Sequence, residues 1–379
     1  MRMLAGLVAL LLALASPALA AGLTEEKLTL EASFPDARRS ETIGLDALVI
    51  RPDDGRRHPL AILSHGAPRN ADDRPGMSPR TLRAQAQEFA RRGWVAVAFM
   101  RRGYGESEGE YVESSGKCAS PDYVRSGKVS AQDIRAAITA MADKPYVDSS
   151  RILAVGRSAG GLATIALTAD PPPGLVAAIN FAGGRGSTKP DEVCVPSALV
   201  DAFGVFGKTS RVPTLWVYAE NDLFFNPALA GRFHRAFTEA GGRAEFIAAG
   251  EFGSDGHNLF SEKGTPIWSN YVDAFLARHK LTLVDQLLPL RDPGKPVAIP
   301  GGLGARGREA FAKYLDAQPH KAFATSPKGA FGWRTGQKSP EAAVEGAMGF
   351  CEEHSDAPCA VVMIDDDPVE QSRSGRRRR

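Results

Sequence analysis

The sequence predicts an α/β protein: one large domain with a mostly parallel sheet and helices on both faces, followed by a small α+β module. Three observations carry this. From about residue 26 to 280, short apolar runs alternate with helix-like stretches, the pattern of parallel strands joined by crossover helices. Within the runs the apolar residues are almost continuous, as in strands buried on both faces. Between 281 and 307 the rhythm breaks at Pro289, Pro293, Pro296, Pro300 and five glycines, which reads as a linker to a separate module.

Taken in order, 28–34 and 42–51 form an opening pair of strands joined by a polar turn. The runs 60–63, 95–99, 152–155, 176–181, 214–218 and 245–247 are the buried strands, and 79–92, 129–141, 161–168 and 227–240 are helix-like. The module at 308–366 holds the apolar cluster Phe323, Phe331 and Trp333, a helix-like stretch 340–352 and a strand 360–364, with Cys351 and Cys359 bracketing the turn between them. So small a unit gains from a disulfide. Residues 367–379 alternate acids with a terminal arginine run and are expected to be a disordered basic tail.

The chain of 379 residues is 43% hydrophobic and 24% charged, enough for a sizeable core. A formal charge of only +2, part of it in Arg376 to Arg379, argues against a nucleic-acid partner. Arg2, the apolar stretch 4–14 and Ala18-Leu19-Ala20 have the layout of a signal peptide, 1–20, cleaved after Ala20. Its apolar run is shorter than the roughly 20 residues of a spanning helix. The large domain is then 21–280 of an exported, periplasmic or secreted protein with no membrane span after cleavage.

Export favours disulfides. Cys118 with Cys194, and Cys351 with Cys359, is the simplest pairing of the four cysteines, although four allow three connectivities. No Cys-x-x-Cys or His-x-x-x-His spacing supports a metal site, and no cofactor motif is evident.

The chemistry concentrates at Gly156-Arg157-Ser158-Ala159-Gly160, a G-x-S-x-G pentapeptide directly after the run 152–155 and before the helix-like 161–168. A serine on a tight strand-to-helix turn needs small neighbours, and its hydroxyl is left exposed. Such a hydroxyl needs a base, and the base an orienting acid, in the chain order Ser, acid, His. Of seven histidines only His257 lies in a loop after a late strand. His234 and His279 fall on helix-like segments, His320 and His354 in the C-terminal module, and His58 before a strand. Asp222 follows the run 214–218 at the sheet's carboxyl edge, where ligands gather in open α/β folds. Glu220 and Asp201 are fallback acids, and Asp255 stands too near His257 in the chain to orient it conveniently. The N–H groups of Ala67, in Ser64-His65-Gly66-Ala67-Pro68, and of Ala159 are the expected oxyanion hole; His65 there is expected to be structural.

Together with Arg101-Arg102-Gly103-Tyr104-Gly105-Glu106-Ser107, these segments resemble the dienelactone hydrolase-like branch of the α/β-hydrolase superfamily over about residues 26 to 280. True dienelactone hydrolases carry a cysteine nucleophile; Ser158 is what esterases and serine peptidases of the wider superfamily use. The resemblance implies the α/β-hydrolase fold and acyl transfer to water. Arg157, with Arg101 and Arg102, is a candidate for recognising a substrate carboxylate, although pairing of each with a nearby Asp or Glu is the favoured alternative; Tyr104 is a candidate pocket residue that could equally cover the core. The stretch 185–208, holding Cys194, lies where this fold inserts a lid, and a Cys118–Cys194 bridge would limit its opening and favour a small substrate.

The expected function is hydrolysis of a carboxylic ester, with a small-molecule acyl substrate. The alternatives are a peptidase or amidase with the same residues, or a non-catalytic exported binding protein whose C-terminal module contacts an unknown partner.

Overall fold

The computed structural model describes residues 22–36, 39–289, 298–315, 317, 320–337, 339–365 and 367–369. The expected signal peptide 1–20, part of the linker (290–297) and most of the basic tail (370–379) lie outside the described residues.

The opening strands β1 (Leu23–Asp36) and β2 (Arg39–Pro52) pair antiparallel and run longer than the sequence suggested. Then come β3 (His58–Ser64), α1 (Arg83–Arg91), β4 (Val95–Phe99), α2 (Tyr123–Ala142), β5 (Val147–Arg157), α3 (Ala159–Thr168) and β6 (Leu175–Phe181). A short hairpin, β7 (Ser187–Lys189) and β8 (Glu192–Val193), leads to α4 (Pro196–Gly207), β9 (Thr214–Ala219), α5 (Pro227–Glu239), β10 (Ala244–Ala249) and α6 (Thr265–Arg278). The eight-stranded sheet has the order β1-β2-β4-β3-β5-β6-β9-β10. β2 is antiparallel to both neighbours and every other pairing from β4 onward is parallel. This is the α/β-hydrolase fold.

Strand alternation sorts the core onto two faces. Val49, Ile62, Val97 and Ala154 meet α2, α3, α4 and α5 on one side. Ile50, Leu63, Ala98 and Val155 meet α1 and α6 on the other, around Trp268 and Phe275. α3 is buried along its whole length, which explains its apolar character on every face.

Two helix starts differ from the sequence reading because caps decide them. Ser78 accepts from the Arg80 N–H and opens a 3-10 turn, Pro79–Leu82, so α1 begins later than expected. Asp122 accepts from the Arg125 N–H at 2.8 Å and starts α2 earlier.

In the C-terminal module, α7 (Ala305–Leu315) begins inside the segment expected as linker. It is followed by β11 (Ala322–Thr325), β12 (Phe331–Arg334), α8 (Pro340–Glu352), β13 (Ala360–Ile364) and β14 (Asp367–Pro368), the last formed by residues expected to open the tail. Its sheet, β12-β11-β13-β14, packs Phe323 against Phe311 and Tyr314 of α7, and Ala322 and Ala324 against Ala343 and Ala347 of α8. Cys351 is bonded to Cys359, and Cys118 to Cys194.

Candidate active site

β5 runs into α3 through Ser158, whose φ of 55° and ψ of −122° lie where non-glycine residues are rare. Such a conformation costs about 1–3 kcal/mol and persists only where the surroundings enforce it. Here the Ser158 N–H donates to Phe181 O at 3.0 Å, while its carbonyl accepts from Leu162 and Gly184 at 3.1 and 3.0 Å. Close packing dictates the flanking glycines. A Cβ on Gly160 would stand 2.5 Å from His65 O, and one on Gly156 2.5 Å from Thr164 Oγ1.

Asp222 and His257 come together from two later strand ends. Asp222, buried in the turn after β9, accepts the N–H groups of Phe224 and Phe225 at 2.7 and 2.9 Å through Oδ1. Both its oxygens lie 3.1 Å from His257 Nδ1. Nδ1–H is therefore the donor to Asp222, and Nε2 is left as the basic nitrogen. Asp255 holds the backbone of this turn: its Oδ1 accepts from the N–H groups of His257 and Leu223 at 3.0 and 3.1 Å. The Phe224 ring stacks on the imidazole at 3.8 Å. Burial lowers the His257 pKa from its ordinary value, against the opposing pull of Asp222. Among the described residues no hydrogen bond joins Ser158 Oγ to His257, a contact that commonly tightens only around substrate.

The remaining candidates of these types are placed elsewhere. Glu220 and Asp201 are exposed. His58 meets Asp54 at 2.8 Å and His279 meets Glu245 at 2.9 Å. His65 is buried, accepts the Arg101 N–H at Nε2 (3.1 Å) and so donates from Nδ1 to Gly66 O. Burial, then the Arg101 charge, holds its pKa well below the ordinary range, so it is a neutral brace of the loop carrying Ala67.

A cavity of about 410 Å³ opens over Ser158, with Ala67, Ala159, Tyr104 and Phe224 in its wall. This volume suits a small ligand. Arg157 is not in that wall; it donates to Asn258 Oδ1 at 2.7 Å and ties the elbow to the His257 turn. Arg101 is fully buried, paired with Glu113 (Nε–Oε2 2.6 Å) and bound to Ser64 Oγ and His65 O, bracing the end of β3. Arg102 pairs with Asp133 at 2.7 Å. The arginines expected to read a substrate carboxylate are thus all turned to internal acceptors.

Sequence reasoning passed over Glu113 and Arg185. Glu113 is buried behind the cavity and accepts from Arg101, from Arg185, from Tyr104 Oη at 2.5 Å and from Ser130 Oγ at 2.6 Å. Opposed by burial, these cations still hold its carboxyl well below the usual range. Arg185, in the Gly-rich loop after β6, could have been found by the rule that led to Asp222; Glu113 sits in a long loop without periodicity. The Cys118–Cys194 bond, with Cα atoms 4.9 Å apart, ties the loop supplying Ser114 and Ser115 to the hairpin supplying Ser187, both in the cavity wall.

Chemically, the site offers a hydroxyl on a rigid elbow and an imidazole oriented by a carboxylate, with Ala67 and Ala159 in the wall of the same cavity.

A model of the X-Pro dipeptidyl-peptidase (S15) family matches residues 41–192. No curated protein matches the chain in sequence. Among solved structures it is similar to the Pyrococcus furiosus esterase Pf2001 (14% identity, covering 68% of this chain and 90% of that one, TM-score 0.47). It is also similar to Thermogutta terrifontis esterase 2 (18%, 69% and 96%, TM-score 0.47). For the Pyrococcus horikoshii acylaminoacyl peptidase the figures are 16%, 71% and 43%, with a TM-score of 0.48. The likeness is to hydrolases of esterase and peptidase type.

Proposed function

We propose that this protein is an exported serine hydrolase that cleaves a carboxylic ester through an acyl-enzyme. Ser158 Oγ attacks the carbonyl carbon, and His257 Nε2 takes its proton while Asp222 stabilises the imidazolium. The N–H groups of Ala67 and Ala159 hold the oxyanion. The alcohol leaves with the proton from His257. Water then repeats the attack on the acyl group, and the proton returns to Ser158 as the acid departs.

The strained backbone of Ser158 at the base of the cavity is the observation that carries this reading, because such a conformation is retained where function needs it. A fluorophosphonate probe should label the wild-type protein and not Ser158→Ala; equal labelling of the two, or none of either, would sink the reading.

The family match favours a second reading, amide hydrolysis by the same residues. An enzyme that removes N-terminal dipeptides must hold a free ammonium, yet among the described residues no Asp or Glu lines the cavity. Short p-nitrophenyl esters compared with aminoacyl nitroanilides separate the two, and faster nitroanilide turnover would reverse the preference. Export rests on residues 1–20 and the two disulfides. The mass of protein recovered from a secreting host should correspond to a chain starting at Ala21; retention of 1–20 would remove that part.

A further inference from the structure

Three guanidinium groups share the cavity with Ser158: those of Arg69, Arg74 and Arg185. All three are held in place. Arg69 lies 3.5 Å over the Phe224 ring and donates to Ser187 Oγ and Leu223 O at 2.9 and 3.1 Å. Arg74 lies 3.8 Å over the Tyr111 ring. Arg185 donates to Tyr111 Oη at 3.0 Å and pairs with Glu113. Its Nε is buried without a hydrogen-bond partner, although only 9% of the residue is exposed.

The local charge does not balance. Glu113 is a single carboxylate shared by Arg101 and Arg185, so that buried group keeps one excess positive charge. Burial and the adjacent Glu113 charge keep the Tyr104 hydroxyl protonated, so it adds no negative charge. Arg69 and Arg74 have no acidic partner among the described residues; stacking on Tyr111 leaves the N–H edges of Arg74 free for a planar acceptor, and Arg69, whose Nε and Nη2 are taken by Ser187 and Leu223, keeps Nη1 for one. Guanidinium groups pre-positioned in this way bind a carboxylate without first losing rotamer freedom.

We infer that Arg69, Arg74 and Arg185 form a carboxylate subsite beside Ser158, and that the substrate is an ester bearing a carboxylate. The inference rests on the serine-hydrolase reading and narrows it. Arg185 also balances Glu113, so its replacement disturbs folding; Arg69 and Arg74 are the cleaner probes.

The test compares kcat/KM within two pairs of esters. Mono-p-nitrophenyl glutarate against p-nitrophenyl hexanoate tests a carboxylate on the acyl side; para-acetoxybenzoate against its methyl ester tests one on the leaving side. In at least one pair the carboxylate member should be favoured roughly tenfold. Arg69→Gln and Arg74→Gln should each reduce that ratio several-fold, and Arg235→Gln, exposed on α5, should leave it unchanged. Ratios near one in both pairs, or a preference that neither cavity variant alters, overturn the proposal. If Ser158 is not labelled and no ester turns over, the hydrolase reading fails by itself. Calorimetry with glutarate then decides the subsite: binding weakened by Arg69→Gln and Arg74→Gln supports it, and no binding overturns it.

Discussion

Two buried carboxylates stand behind the same cavity and are surrounded in opposite ways. Asp222 accepts two backbone N–H groups and one imidazole, and burial favours the neutral form of that imidazole. Glu113 accepts from two guanidinium groups, a phenol and a hydroxyl. A carboxylate facing a neutral imidazole can respond when that ring gains a proton. One already matched by permanent cations cannot, and its work is to hold Arg101, the end of β3 and Arg185 in place. Equal burial therefore leaves one group able to answer a change of charge beside it and makes the other a scaffold, and the difference lies in the partners' charge.

The largest expected separation is between replacements of these two acids. Asp222→Asn keeps the shape but spoils the tautomer of His257, and on the proposed mechanism should lower kcat by about 10⁴-fold, the scale of the same change in a serine protease triad. Its melting temperature should stay near that of the wild type. Turnover within tenfold of wild type would remove Asp222 from the chemistry.

Glu113→Gln should do the reverse. Leaving Arg101 and Arg185 buried against a neutral amide should cost about 3–5 kcal/mol in a denaturant titration. An unfolding midpoint like the wild type's would show that Glu113 does not hold Arg101 and Arg185 in place. Ser130→Ala removes a single hydrogen bond to the same carboxylate and should cost less, about 1.5–3 kcal/mol.

The smallest effects are in pH. His257 must be neutral to act as base, and its pKa is lowered from the ordinary 6.5 by burial. Activity should therefore persist below pH 6.5 and fall only as pH drops through the lower value; a midpoint above 6.5 would contradict this. Glu113 is held well below its ordinary 4.5, so its stabilising contribution is complete above that pH and is lost as pH falls from there toward the folded value. Acid unfolding should begin earlier in Ser130→Ala, measured by circular dichroism.

Much of this was legible in local sequence. Apolar runs marked β3, β4, β5, β6 and β9 because strands buried on both faces have no polar positions to blur the signal, while the half-buried edge strand β10 showed only the short run 245–247. Helix starts were less legible, since side-chain caps at Ser78 and Asp122 outweigh propensity at helix ends. α4 was overlooked behind its polar hairpin, although Leu199, Phe203 and Phe206 carry helical spacing. At the site, Ser158 is announced by its own neighbours, and Asp222 and His257 by their places after strands.

The sequence by itself determined what depends on near neighbours: the parallel sheet, the glycines that let the elbow close, and the chain order of serine, acid and histidine. Only the tertiary structure decided which charges meet. Arg157 could have faced the cavity or the His257 turn, and packing sent it to Asn258. Arg185 reaches Glu113 across 72 positions of chain, and Arg69 reaches Ser187 across 118. Pairings over such separations leave no periodic trace. They are set by which loops the sheet gathers at its carboxyl edge, and there they make the cavity cationic.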